Sequence, residues 1–352
     1  MSLEQRIVPG VPTLLWGAPG IGKTASVYAY GKRHHLPVEV VISSVREPSD
    51  IAGLPVINKD DKSVSIWPPS WAMRLAQAGK GILFFDEINT APPAVQAALF
   101  RVILERVVGD LELPKDVLVM AAANPVETAS HRWRLDPALR SRFKHIRFQL
   151  NPNEWCENFT SYWNDPPQIP GIDEPQWRLK RALVASFIHR RPDLLLKLPD
   201  EESEEDMGWP CPRTWDFVSR TLLLHDRVVE LAEDIADCVG HPVAHEFVTW
   251  ASNLDLPDPV DFMEHPTKYA WPDRGDKVYA LLMSIVAHGL ESETRWNQAW
   301  QVVVRAADEN MPDMALVAAK QLLADHDRVN RWKRTVSLTP LTPILQRLGV
   351  MP

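Results

Sequence analysis

Eight residues, Gly17-Ala18-Pro19-Gly20-Ile21-Gly22-Lys23-Thr24, constrain this chain more than any other stretch. They fit G-x-x-x-x-G-K-[ST], in which glycines let backbone N–H groups close around phosphate oxygens while the lysine places a point charge on the outer phosphates. Such a loop works between a buried strand and the first turn of a helix, whose N-terminus favours anions. The flanks supply both: Thr13-Leu14-Leu15-Trp16 reads as a short buried strand and Ala25-Ser26-Val27-Tyr28-Ala29-Tyr30 as a helix. Gly17, Ala18, Pro19, Gly20, Ile21, Gly22, Lys23, Thr24 and Ala25 are therefore the expected phosphate-binding residues.

A β-branched run, Val38 to Ser43, follows the helix and predicts a second buried strand, so the sheet is expected to be parallel. Residues 53–57 and 63–67, split by the polar Asn58-Lys59-Asp60-Asp61-Lys62, read as a hairpin inserted into the fold rather than a pair of core strands. Pro68-Pro69-Ser70 caps a helix over Trp71 to Ala78, which Gly79 ends. Next, Ile82-Leu83-Phe84-Phe85-Asp86-Glu87 is a buried strand running into two carboxylates. At the carboxyl end of a parallel strand, Asp86 can share a Mg²⁺ ion with Thr24, and Glu87 can orient and deprotonate an attacking water. A helix over Ala94 to Arg106, with Gly109 marking its end, leads to the strand Asp116 to Ala123. Asn124-Pro125 stops that strand, which sets an amide where it can bond a lytic water or a γ-phosphate. A short helix with Arg140 and Arg142 and a last strand, His145 to Phe148, complete this half.

Three further patterns in this region have simpler explanations. Asp50-Ile51-Ala52-Gly53 and Asn58-Lys59-Asp60-Asp61 match the D-x-x-G and N-K-x-D signatures of GTPases, but only residues 54–57 separate them, too few for the helix and strand that those motifs require between them. Asp61-Lys62-Ser63-Val64-Ser65 matches a D-x-S-x-S metal pattern, yet the serines alternate with Val64 and Ile66 as solvent-facing strand residues do. Composition narrows the class further. The 352 residues carry a net charge of −8 with no long Lys/Arg run, which does not advertise a strong grip on nucleic acid. Cys156, Cys211 and Cys238 show neither metal-ligand spacing nor even pairing, in keeping with a reducing cytoplasm. No window approaches 18 consecutive apolar residues, and Met1 to Pro9 lack the apolar core of a signal peptide, so a soluble, cytoplasmic protein without membrane contact is expected.

Together, Gly17 to Thr24, Phe84 to Glu87 with Asn89, Ala122-Ala123-Asn124-Pro125 and Ser141-Arg142-Phe143 resemble the AAA+ ATPases, most closely the MoxR branch. The resemblance implies an α/β P-loop NTPase core with a parallel sheet, an α-helical lid and an all-α C-terminal extension. Position by position, it makes Lys23 and Thr24 the ligands of ATP phosphate and Mg²⁺, Asp86 a second Mg²⁺ ligand and Glu87 the base. It makes Asn124 sensor 1, Arg142 a finger inserted into a neighbouring subunit's site and Arg213, in Trp209-Pro210-Cys211-Pro212-Arg213, sensor 2. Arg140 competes with Arg142 for the finger. Cys211 stands where the family has serine, a weaker helix cap. The hairpin at about 53–67 falls where AAA+ proteins carry insertions toward a ring pore.

After Leu150 the β-branched runs stop and helices alternate with Pro-rich breaks. Three segments are expected: a core over 1–150, a helical lid over 151–254 and a helical extension over 255–352. Helices are read at Asn153–Trp163, Trp177–Arg190, Thr214–Cys238, Val243–Asn253, Val278–Gly289, Arg295–Glu309 and Met314–His326, and residues 200–206 as an acidic solvated loop. The expected function is ATP hydrolysis in a ring, hexameric by resemblance, that remodels or activates a partner protein carrying a von Willebrand A domain. A nucleic-acid-translocating motor and an ATP-binding scaffold without turnover share the motifs. The acidic charge speaks against the first, and intact Glu87 and Asn124 against the second.

Overall fold

The structure is a computed structural model describing residues 3, 5–60, 62–125, 134–161, 171, 173–199 and 208–323. The expected acidic loop at 200–206, and residues 162–163 and 324–326 of two expected helices, lie outside the described residues. The chain divides into two compact units, Met1–Gln149 and Leu150–Pro352.

In the first unit, β1 (Thr13–Trp16), α1 (Lys23–Arg33), β2 (Val38–Ile42), α2 (Pro48–Ala52), β3 (Leu54–Asn58), β4 (Ser63–Trp67), α3 (Ser70–Ala78) and β5 (Lys80–Asp86) come first. They are followed by α4 (Pro93–Glu105), β6 (Val107–Val108), β7 (Leu111–Glu112), β8 (Asp116–Ala123), α5 (Pro137–Arg140) and β9 (Lys144–Arg147). Five strands form one sheet in the order β2-β5-β8-β1-β9, with every pairing parallel. The apolar run in β5 has no polar alternation because both of its faces are covered. Leu83 and Phe85 pack with α2, α3 and α4 on one face, and Ile82 and Phe84 with Val27 of α1 on the other. This α/β arrangement brings the carboxyl ends of β1, β5 and β8 side by side.

The inserted hairpin is present as the antiparallel pair β3–β4, separate from the main sheet, and leaves Leu54, Ile57, Val64 and Trp67 between 60 and 72% exposed. Two local expectations change. Ser70 is the first residue inside α3, behind Pro69. The helix expected over Ala94 to Arg106 spans Pro93–Glu105 and is stopped not by Gly109 but by Arg106, which takes the left-handed conformation at φ 59°. Gly109 instead turns a second small hairpin, β6–β7, at φ 61°, and a Cβ there would lie 2.4 Å from the Ile66 carbonyl oxygen.

The second unit is helical: α6 (Pro152–Ser161), α7 (Glu174–Arg190), α8 (Pro212–Thr221), α9 (Ala232–Val239), α10 (His241–Ser252), α11 (Pro259–Glu264), α12 (Gly275–Gly289), α13 (Glu293–Asp308) and α14 (Pro312–Leu323). The single helix expected over Thr214–Cys238 is broken. The polar His225-Asp226 and the β-branched Val228-Val229 interrupt it, so a 3₁₀ turn at Val228–Leu231 separates α8 from α9. Helix α11 was not expected, although Asp258 caps its first N–H groups and Pro259 opens it. Two hydrophobic cores fill this unit, and α7 joins them, with Ala182 in one and Val184 to Ile188 in the other. Among the described residues no helix is long and apolar enough to cross a membrane, and no cluster of His, Cys, Asp and Glu could hold a metal.

Candidate functional site

The P-loop leaves β1 through Gly17, whose N–H donates to the Ala123 carbonyl at 3.2 Å, tying the loop to the end of β8. Gly20 and Gly22 have φ values of 77° and 91°, a region that costs other residues ~1–2 kcal/mol. Gly22 then caps α1, so Lys23 is its first residue and its side chain turns back into the loop. Lys23 is 8% exposed, and its ammonium donates to the Gly17 and Ala18 carbonyls at 2.7 and 3.0 Å and to Asn124 Oδ1 at 2.8 Å. One residue on, the Thr24 hydroxyl donates to Asp86 Oδ2 at 2.6 Å. The P-loop, the end of β5 and the end of β8 thus meet within hydrogen-bond distance.

Glu87 departs from the strand in the left-handed conformation, φ 54° and ψ 39°, with its N–H on Asp86 Oδ1 at 3.0 Å. Its carboxylate accepts a 2.7 Å hydrogen bond from the Ser44 hydroxyl, just past the end of β2. No local pattern marks Ser44, because only the sheet order, with β2 beside β5, brings it to Glu87. Asn89 is 5% exposed and pairs reciprocally with Asn124: its amide donates to the Asn124 carbonyl at 2.9 Å, and its Oδ1 accepts from the Asn124 N–H at 3.2 Å. This backbone grip leaves the Asn124 side chain facing Lys23.

Arg142 follows α5. Its guanidinium lies 4.9 Å from the Phe100 ring centroid and Nη1 donates to the Ala138 carbonyl, so it is half-buried while Arg140 is exposed. Arg213 is exposed in the first turn of α8, in the helical unit. The Cys211 cap ahead of it is reciprocal: Cys211 sulfur faces the Thr214 backbone, and the Cys211 N–H donates to Thr214 Oγ1 at 2.9 Å. A sulfur acceptor is weak, and the threonine hydroxyl supplies the second half of the box.

Chemically, a buried ammonium, a hydroxyl–carboxylate pair, a second carboxylate and an amide oxygen suit a phosphate chain with a divalent cation and a water. Residues 12–143 match the family described as AAA domain (dynein-related subfamily). The chain is 29% identical over 210 residues to Chaperone MoxR1 of Mycobacterium tuberculosis, a match covering 53% of this chain and 51% of that protein. It therefore spans about half the length of this curated relative. Among solved structures, a putative ATPase from Cytophaga hutchinsonii aligns at 19% identity over 66% of this chain and 78% of that one, with a TM-score of 0.30. The RuvB Holliday junction branch migration motor of Thermotoga maritima aligns at 19% identity over 74% and 70%, with a TM-score of 0.34. These likenesses are distant, and the fold rests on the strand order and the P-loop themselves. The AAA-domain match thus runs from the residue before β1 to the end of the Ser-Arg-Phe turn, and over about half of its length the chain is similar to a MoxR chaperone.

Proposed function

We propose that this chain hydrolyses ATP to ADP and phosphate in a ring of identical subunits, hexameric by analogy, and uses the cycle to remodel or activate a client protein. The observation that carries this reading is the contact set at the P-loop, where Lys23 meets Asn124 and Thr24 meets Asp86. Residues 17–25 would wrap the phosphates, with Lys23 as the charge on the outer two. Thr24 and Asp86 offer the hydroxyl and carboxylate oxygens that suit a hard cation, and they would hold Mg²⁺, which when bound neutralises charge on the β and γ phosphates. Glu87 takes the proton of the attacking water, and Asn124 orients that water or the γ-phosphate. Arg142 reaches the site of the next subunit, where a guanidinium stabilises charge building on the transferred group; Arg213 serves as sensor 2.

A protein client is supported by the β3–β4 hairpin, whose exposed Leu54, Ile57, Val64 and Trp67 offer apolar contacts. By the MoxR resemblance, that client carries a von Willebrand A domain; three cysteines without metal-ligand spacing or even pairing support work in the cytoplasm. Replacing Lys23 by Ala tests the nucleotide site. The variant should show no ATP binding by titration calorimetry while melting like wild type; unchanged ATP affinity contradicts the P-loop assignment.

A further inference from the structure

His145 joins the two parts of the α/β unit that the proposed mechanism sends to different active sites. Its Nδ1 lies 2.8 Å from the Trp16 indole nitrogen, and its Nε2 lies 2.8 Å from the Arg140 carbonyl oxygen. An indole N–H can only donate, so Nδ1 must accept; the proton of the neutral ring is then on Nε2, which donates to the carbonyl. Both ends of the ring have one allowed polarity. Trp16 is the last residue of β1, directly before the first P-loop glycine. Arg140 is the last residue of α5, and its carbonyl is one of those a helix end leaves without an internal partner; the N–H of Phe143 approaches it only at 3.4 Å. Ser141, Arg142 and Phe143 lie between Arg140 and β9, so the imidazole closes the turn that presents Arg142.

Strand β9 does not need this contact to be in place. It pairs with β1 at four positions, and the Lys144 N–H to Pro12 carbonyl and Phe148 N–H to Trp16 carbonyl bonds, 2.8 and 2.7 Å, hold its two ends. Within the turn, the bonds from Ser141 to the Pro137 and Ala138 carbonyls and from Arg142 to the Ala138 carbonyl are internal. Leu139 and Phe143 anchor it by burial, while the Asp136 N–H on Gln96 Oε1 at 2.8 Å and the Arg142 guanidinium over Phe100 tie it to α4 and not to β1. Apolar burial is not directional, whereas the His145 pair of hydrogen bonds sets the angle of the helix end relative to β1.

We propose that His145 is a positioning residue for hydrolysis, orienting the Ser141–Phe143 turn so that Arg142 meets the neighbouring subunit's nucleotide. The proposal rests on the reading of Arg142 as a finger acting in trans. His145 reaches the chemistry only through that turn, so its loss falls on the site its subunit serves rather than on its own.

Complementation in mixed rings tests this. His145→Ala should melt close to wild type, bind ATP with unchanged affinity by calorimetry and turn over about 10- to 100-fold more slowly, the scale of a 1 Å misplacement. Trp16→Phe, which removes the indole donor and leaves a smaller aromatic ring against the core, should lower turnover in the same direction with ATP affinity kept. In verified mixed rings, His145→Ala with Lys23→Ala should regain activity, because intact P-loops then face intact fingers. His145→Ala with Arg142→Ala should stay at the residual level, since both defects lie on the finger side. Recovery in that second mixture, a weakened ATP affinity, or wild-type turnover in His145→Ala overturns the proposal. The mixture of Arg142→Ala with Lys23→Ala is the control: if it fails to recover while the single variants are folded and assembled, the trans reading itself falls, and the His145 assignment with it.

Discussion

Glu87 holds a left-handed backbone, φ 54° and ψ 39°, at the position proposed for the catalytic base. For a residue with a Cβ that conformation costs ~1–2 kcal/mol, and strain of this kind persists where surrounding structure enforces it. The strain can be read by comparing Glu87→Ala with Glu87→Gly. Both lose the carboxylate and its 2.7 Å bond from Ser44, so that loss cancels between them. Glycine relieves the left-handed penalty but returns about 0.5–1 kcal/mol through the greater freedom of the unfolded chain. The glycine variant should therefore be more stable by about 0.5–1 kcal/mol, which at about 2–4 °C per kcal/mol in a unit of this size is a melting difference of ~1–4 °C. Differential scanning calorimetry of the two variants reads it, and neither should turn over ATP. At an ordinary helical position alanine is the more stable residue, so the expected sign is inverted. An alanine variant melting at or above the glycine variant refutes the strain at Glu87.

Gly109→Ala places a Cβ 2.4 Å from the Ile66 carbonyl oxygen at φ 61°, and should cost roughly 2–4 kcal/mol, read as a lowered melting transition. In the helical unit, burial pushes the Asp276 carboxyl up, but hydrogen bonds from Trp250 and Arg274 and the charge of Arg274 outweigh it and hold it below its ordinary range. A folded value below the unfolded one stabilises above the unfolded carboxyl range and is lost as pH falls through the folded value. Asp276→Asn should therefore lower the urea midpoint most near neutrality, with the gap to wild type closing below about pH 4. A gap that widens on acidification contradicts that sign.

Much of the α/β unit was legible because its signals are local. A strand running into Gly17, an apolar run ending in Asp86 and a second run ending in Asn124 each declare both an element and the end of it that carries chemistry. What the sequence hid depends on partners distant in the chain. Ser44 meets Glu87 only through the strand order, and His145 bridges Trp16 and Arg140 only because β9 lies beside β1. Gly109 looked like a helix stop, whereas its conformation serves a hairpin pressed against Ile66. In the helical unit, periodicity ran through residues 222–231, where a 3₁₀ turn breaks it. Helix α11 does carry a local signal, the Asp258-Pro259 cap at its start.

In the proposed mechanism Glu87 activates water on an ATP held by Lys23, Thr24 and Asp86. Phosphate release by Glu87→Gln at saturating Mg²⁺-ATP, with bound nucleotide verified by calorimetry, isolates this role. The glutamine keeps the side-chain shape and leaves the P-loop contacts untouched, but it cannot accept the proton. ATP should bind as in wild type and steady-state phosphate release should fall to background. Wild-type phosphate release from Glu87→Gln removes Glu87 from the mechanism and contradicts the site as assigned.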